Sequence, residues 1–228
     1  WNVRGMNSMS KRYKVFAYLK RRGTHIAMLQ ETHMNEAEAK ALQRRWRGQV
    51  YCTTYSAFAR GVLIWIRPGV PFQETGCVID PEGRFVVVRG RLDGRDLAIA
   101  SVYARNVEQG KFLTELSIKL ADFLIHPIIL GGDFNCIADV RLDRSHPPLR
   151  ESAVHRLAKQ YSAWQTEWNL VDSWRQSNPT SRDYSFFSST HELHVRLDTF
   201  LCSAATQEAV QRVEYLARTV SDHNPALL

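Results

Sequence analysis

Between Val50 and Tyr103 the chain packs five short runs of strand-type residues: Val50–Tyr55, Gly61–Ile66, Phe72–Ile79, Arg84–Leu92 and Leu97–Tyr103. Gly, Pro and Asp separate them, as turn residues separate strands. Asp93-Gly94, flanked by alternating apolar residues, is a tight hairpin signal. Strands in this number must bury their faces, and the flanking sequence supplies the cover. Val15, Phe16 and Leu19 in Lys11–Arg22 recur at helical spacing, with Gly23 as the stop. His25–Gln30 is a short strand. Asn35, with Glu38 three positions later, is the N-cap of a helix running to Trp46. After Tyr103 the pattern continues with a helix over Glu108–Leu124, a buried strand at Pro127–Gly131 and a helix over Glu151–Trp168. Tyr161, Trp164 and Trp168 form a core-facing aromatic stripe on the last of these. Strands are expected at Tyr184–Ser188 and Val195–Leu201, a helix over Ala204–Arg212, and strands at Val213–Leu216 and Asn224–Leu228. The reading is an α/β fold, with two sheets covered by helices.

Charge bears on what such a fold binds. Thirty Lys and Arg stand against twenty-three Asp and Glu, a net +7. Residues 1–50 hold eleven of the basic and three of the acidic side chains, so the excess lies at one end. A basic domain suits a polyanion, and on charge alone two solvated helix faces explain it equally well. The apolar runs, such as Pro127–Leu130, are far shorter than the roughly 20 residues of a membrane span. The four cysteines form no CxxC pair, so free thiols in a reducing intracellular compartment are expected. The chain opens at Trp1 directly in a motif-like stretch. Residues 1–228 are therefore read as a single domain cut from a longer polypeptide.

Five stretches place polar residues at the ends of apolar strands: Trp1-Asn2-Val3-Arg4-Gly5, Leu29-Gln30-Glu31-Thr32-His33, Gly131-Gly132-Asp133-Phe134-Asn135, Arg196-Leu197-Asp198 and Ser221-Asp222-His223-Asn224-Pro225. A carboxylate at a buried strand end costs several kcal/mol unless paired, hydrogen-bonded or metal-bound. Glu31, Asp133, Asp198 and Asp222, with Asn2, Asn135 and His223, point to one shared site. Oxygen ligation indicates Mg²⁺ or Mn²⁺ rather than zinc.

In this order the five stretches resemble the endonuclease/exonuclease/phosphatase superfamily, across nearly the whole chain. The resemblance implies a DNase-I-like four-layer α/β sandwich, two mixed β-sheets flanked by helices. It also implies roles. Glu31 holds the cation, with Asn2 beside it. Asp133 orients and deprotonates the attacking water, helped by Asn135. His223 stabilises the charge on the scissile phosphate, and Asp198 fixes the His tautomer. Asp222 assists the metal or the His, and Tyr103 reaches a phosphate oxygen.

Finer features resemble the apurinic-like endonuclease domain of non-long-terminal-repeat, LINE-type retrotransposons. They are Glu31-Thr32-His33, Tyr103-Ala104-Arg105-Asn106, the loop Asp143-Arg144-Ser145, and Tyr184-Ser185-Phe186-Phe187-Ser188-Ser189 followed by Arg196-Leu197-Asp198. Apurinic/apyrimidinic repair enzymes usually end in Gly-Ser-Asp-His-Cys-Pro, where this chain has Val220-Ser221-Asp222-His223-Asn224-Pro225. The resemblance implies a Mg²⁺-dependent nick in one strand of duplex DNA. Its 3′-hydroxyl would prime a reverse transcriptase elsewhere on the same polyprotein, in the nucleus, with the isolated domain a monomer. The alternatives are a repair endonuclease, a phosphoesterase acting on inositol phosphates or sphingolipids, and an inactive DNA-binding module.

DNA contacts are expected from His33, Asn106, Arg144, Ser185, Ser189, His191, His194 and Leu197. Arg141 and Arg150 share the loop of Arg144. Ser185 stands where the subfamily often has Thr. His191 and His194 sit in a polar hairpin tip, Ser188–His194, and are read as nucleic-acid contacts rather than metal ligands. Leu193 is the tip's one apolar residue, so the tip is expected to stand clear of the core.

Overall fold

The computed structural model describes residues 1–228. In chain order the elements are α1 (Met9–Arg21), β1 (Ile26–Gln30), α2 (Glu36–Arg45), β2 (Gln49–Thr53), β3 (Val62–Ile66), β4 (Phe72–Ile79), β5 (Phe85–Leu92), β6 (Arg95–Tyr103), α3 (Gln109–Leu124), β7 (Ile128–Asp133), α4 (Ala153–Glu167), β8 (Leu170–Asp172), α5 (Ser173–Ser177), β9 (Phe186–Ser188), β10 (Leu193–Val195), β11 (Asp198–Ser203), α6 (Ala204–Gln207), β12 (Glu214–Tyr215) and β13 (Ala226–Leu227).

Two sheets stack face to face. The smaller is antiparallel, in the order β1-β3-β2. The larger runs β4-β5-β6-β7-β11-β8, and only its β6–β7 pair is parallel. Period-two alternation assigns each strand residue to a layer. In the small sheet Met28, Val62, Ile64 and Ile66 face inward, meeting Val86, Val88 and Ile99 of the large sheet. Their neighbours Leu29, Leu63 and Trp65 point outward, under Val15, Phe16, Leu19 and Leu42 of α1 and α2. On the far side Val87, Ala98, Ala100, Val102 and Leu130 pack under Phe112, Leu116, Tyr161 and Trp164 of α3 and α4. Two sheets and two helical layers make the expected four-layer α/β sandwich.

Local signals act as read. Asn35 and Glu38 complete a capping box on α2. Asp93 and Gly94 turn the β5–β6 hairpin with positive φ. All four cysteines are free. Gly132 is required by approach rather than by φ: a Cβ there would lie 1.9 Å from the Val102 carbonyl oxygen of β6.

Three expectations change. Val195–Leu201 is not one strand; it breaks at Arg196-Leu197, where Arg196 turns into the interior. The helix over Ala204–Arg212 is a single turn, α6. β8 and α5 were not anticipated; Asp172 ends one and caps the other, accepting from Arg175 N at 3.0 Å.

Candidate active site

The larger sheet sets three of the residues side by side. Asp133 is the last residue of β7 and Asp198 the first of β11, and the antiparallel register pairs them directly. The parallel register pairs Tyr103, last of β6, with Asp133. Glu31 follows β1, at the same end of the smaller sheet. Asn2, bridged to Gln30, ties the two sheets together. Its Nδ2 donates to Glu31 Oε1 and to Asp133 Oδ2, each at 2.9 Å, while its Oδ1 accepts from Arg4 N. In this arrangement Asn2 clamps two carboxylates.

Asp133 is buried, with Asn135 N donating to Oδ1 at 3.0 Å. Asn135 sits at φ 46°, and its Nδ2 donates to Ala104 O at 2.7 Å, which fixes this turn against β6. Burial raises the Asp133 carboxyl, and the Asp198 charge adds to that; the hydrogen bonds and His223 act against it, leaving about 7.

His223 is held from three sides. Nδ1 lies 2.7 Å from Asp198 Oδ2, the Phe186 ring packs at a tilt with 4.6 Å between ring centroids, and the Trp1 indole donates to its carbonyl at 3.1 Å. Nε2 is left facing Asp133 Oδ2 at 3.9 Å. Burial alone would lower this imidazole; the charge and hydrogen bond of Asp198 outweigh it and raise the value to about 9. Burial would likewise raise Glu31, but hydrogen bonds from His33, Asn2 and Tyr103 bring it to about 2, so it stays ionised. Burial and the charges of Glu31 and Asp133 push the Tyr103 phenol up, so it remains a donor.

Ligand atoms of Asp133, Asp198 and His223 lie within 4.8 Å of one another. Asp198 Oδ1 is buried with no hydrogen-bond partner. An orphan acceptor among carboxylates, with Glu31 joined through Asn2, fits a hard, oxygen-seeking cation. Asp222 stands outside the cluster, with its carboxylate on the Arg4 guanidinium.

The residues read as DNA contacts divide into two groups. Asn106, Ser189, His191 and His194 are exposed. His194 packs its ring on Phe187 and Tyr184. Arg144 donates to His146 O, on a loop that zips onto β10 through Ser145 N to His194 O at 3.0 Å and Arg196 N to Asp143 O at 2.9 Å. Others turn inward. His33 Nε2 lies 3.1 Å from Glu31 Oε2. Leu197 is half-buried, against the cluster of Ile137, Val140 and Leu193.

Two readings need correction. Ser185 is fully buried, where no duplex reaches it; its Oγ accepts from Leu197 N and Asp198 N, both at 2.9 Å. Leu193 is also buried, so the hairpin's base is anchored and only Ser189–Glu192 project.

A buried ion network beneath the site was not anticipated. Arg196 is 1% exposed and grips Asp143 through Nε at 2.8 Å and Nη2 at 3.1 Å. Asp172 Oδ2 lies 2.7 Å from the same Nη2, off the hydrogen-bonding direction. Arg175 adds a bond to Asp143 at 2.6 Å. Tyr215 donates to Asp198 O at 2.6 Å. The sequence signal for this network was an Arg and an Asp inside otherwise apolar strand ends, at Arg196 and Asp172.

Residues 1–223 match the model described as the Endonuclease/Exonuclease/phosphatase family. The chain is 25% identical over 228 residues to the Transposon TX1 uncharacterized 149 kDa protein of Xenopus laevis, covering 98% of itself and 17% of that protein. Among solved structures it resembles the AP endonuclease LMAP of Leishmania major, with TM-score 0.75, 21% identity, and 99% of this chain on 84% of that one. The 3′ phosphatase NExo of Neisseria, bound to product DNA hairpin, gives 0.75 and 22%, with 97% of this chain on 95% of that one. An AP endonuclease of Archaeoglobus fulgidus gives 0.74 and 21%, at the same coverages. At these identities the structural likeness establishes the fold, the α/β sandwich described above.

Proposed function

The chain belongs to the endonuclease/exonuclease/phosphatase family, and from that premise we propose that it is a divalent-cation-dependent endonuclease that nicks one strand of duplex DNA. The observation that carries this is the chain of contacts from Glu31 through Asn2 and Asp133 to His223 and Asp198. It sets a base, a carboxylate that could hold a cation and a carboxylate-braced imidazole around one point at the shared end of both sheets.

Phosphodiester hydrolysis needs an activated water and a charge clamp on the phosphoryl oxygens. Asp133, raised to about 7, is a carboxylate basic enough to take a proton from water near neutral pH. His223, raised to about 9, is an imidazolium there, and Nε2 is its free donor for a phosphoryl oxygen. Asp198 holds Nδ1, so the ring presents Nε2 in one orientation. Glu31, with Asn2 beside it, would hold Mg²⁺ or Mn²⁺, which leaves Asp133 free to act on the water. A cation held there would supply Lewis-acid stabilisation of the charge on the phosphate and on the leaving oxygen. Tyr103, kept protonated, donates to a second phosphate oxygen.

Residues 1–228 are read as one nuclease domain. The chain spans about a sixth of the transposon protein it matches. With the β9–β10 hairpin bridged to His223 through Phe186, and the Arg144 loop paired to that hairpin at Val195, this supports a role in retrotransposition. In that role the 3′-hydroxyl at the nick primes copying of the element's RNA on chromosomal DNA in the nucleus. The test is supercoiled plasmid free of abasic sites, incubated with Mg²⁺ and then with a template-dependent polymerase. Relaxed circles that a polymerase extends are expected. Cleavage confined to abasic sites would make it a repair enzyme, and full nicking in excess chelator would remove the cation from the mechanism.

A further inference from the structure

The outer helical layer carries a charge pattern that the catalytic end does not use. Lys14, Lys20, Arg21 and Arg22 on and after α1, and Arg44, Arg45 and Arg47 on and after α2, are all exposed. None has a carboxylate within ion-pair distance. The acids of this region are otherwise engaged: Glu38 takes Arg12 at 3.1 Å, Glu36 takes Lys40 at 3.7 Å, and Glu31 belongs to the active site. Basic residues in a last turn complement the helix dipole, which accounts for Lys20, Arg21, Arg44 and Arg45. It does not account for Lys14 in mid-helix or for Arg47 beyond the end of α2, whereas Arg22 lies over the Tyr18 ring at 5.5 Å.

Between the two helices runs a groove of about 500 Å³. Lys14 and Arg45 line it from opposite sides, with Trp46 at one end and Met9 and Tyr13 along the α1 wall. Met9 and Tyr13 are 64% and 66% exposed, large apolar groups held in a field of unpaired cations.

We propose that the α1–α2 face is a second nucleic-acid surface, one that takes a single strand. Phosphates would meet Lys14 and Arg45 on the two walls of the groove, and unpaired bases would stack on Tyr13 and lie over Met9. A duplex has its base faces covered and offers that wall nothing, whereas every unpaired base presents a π-face. The small sheet separates this layer from the inter-sheet core, so a strand held here leaves the catalytic end to a duplex. The proposal stands independently of the nicking reaction.

The test uses this chain with a fluorescein-labelled oligouridylate and an oligothymidylate, each about 20 nucleotides long to span one or more such sites. Unlabelled duplex is present in excess to fill the catalytic end, and binding is read by anisotropy. The double variant Lys14→Glu/Arg45→Glu should bind either strand about tenfold more weakly. Its log K against log salt should be flatter by about 1.4, for two lost single-strand phosphate contacts. Tyr13→Ala should lose about fivefold or more, from one stacked base. Plasmid nicking by both variants should stay within about twofold of the parent, since no catalytic group is touched. A preference for one of the two strands assigns the source as RNA or DNA. The proposal is overturned if the variants bind as the parent does, if excess duplex displaces the strand, or if polyglutamate of equal length competes equally well. The last result would make the occupant an acidic protein segment.

Discussion

Ser185→Ala isolates how the fold holds the Asp198 carboxylate. The Ser185 hydroxyl is buried and accepts from two successive backbone amides, Leu197 N and Asp198 N, where β11 begins. Removing it orphans two buried donors, each costing roughly 1–3 kcal/mol. A loss of about 2–4 kcal/mol is expected, because some relaxation toward neighbouring acceptors offsets the maximum. At roughly 2–4 °C per kcal/mol for a chain this long, the melting temperature should fall by about 5–15 °C. The catalytic effect is separate from this loss. Asp198 Oδ2 holds His223 Nδ1 at 2.7 Å, and a displacement near 1 Å in such a contact costs about 10² in rate. Turnover should therefore fall while KM barely moves, because the exposed loops that would grip DNA are untouched. Assays well below the variant's melting temperature separate the two effects. Ser185→Thr keeps the hydroxyl and should restore turnover in proportion to how well its methyl is accommodated. If Ser185→Ala melts within about 1 °C of the parent and nicks at the parental rate, the hydroxyl does not position Asp198.

Other expectations follow from the same geometry. Asp133→Ala should lower the nicking rate by about 10²–10⁴ with the fold retained, measured on supercoiled plasmid alongside circular dichroism. Burial would raise the Asp143 carboxyl, but Arg196 and Arg175 hold it below the ordinary range, so its pairing stabilises the fold at every pH above the unfolded value of about 3.9. That contribution is lost as pH falls through the folded value. Urea unfolding should accordingly show Asp143→Asn less stable by about 3–5 kcal/mol at neutral pH, with the gap narrowing below about pH 4. Gly132→Ala forces a Cβ onto the Val102 carbonyl and should abolish soluble expression, because the β6–β7 pair would have to part. Exchanging Ser189–Glu192 for a neutral turn of equal length should redistribute nicks along a plasmid, mapped at nucleotide resolution. The overall rate should change far less than for Asp133→Ala. An unchanged map would make the projecting tip a passive surface loop.

How much of this was legible in the sequence depends on the range of the interaction. Helix and strand signals are local. The Asn35–Glu38 capping box, the Asp93-Gly94 turn and the aromatic stripe of Tyr161 and Trp164 each work within a few residues, and each appears where it was read. The candidate site residues were legible for another reason. Polar groups ending apolar runs are costly unless they meet, and Glu31, Asp133, Asp198 and His223 do meet. What stayed hidden was the role of polar residues whose partners are far along the chain. Ser185 was read as keeping its hydroxyl for a phosphate or a backbone contact; the fold spends it on backbone amides twelve and thirteen residues away. Arg196 was read only as the opening residue of the Arg196-Leu197-Asp198 stretch, with no partner assigned. Its partners lie at Asp143 and Asp172, and only the closed sheet brings the three together. The same tertiary demand breaks the strand that period-two alternation drew straight through Val195–Leu201. The break turns Arg196 inward and starts β11 at Asp198, opposite Asp133 in register. The irregularity that local pattern could not foresee is thus the one that places the second carboxylate.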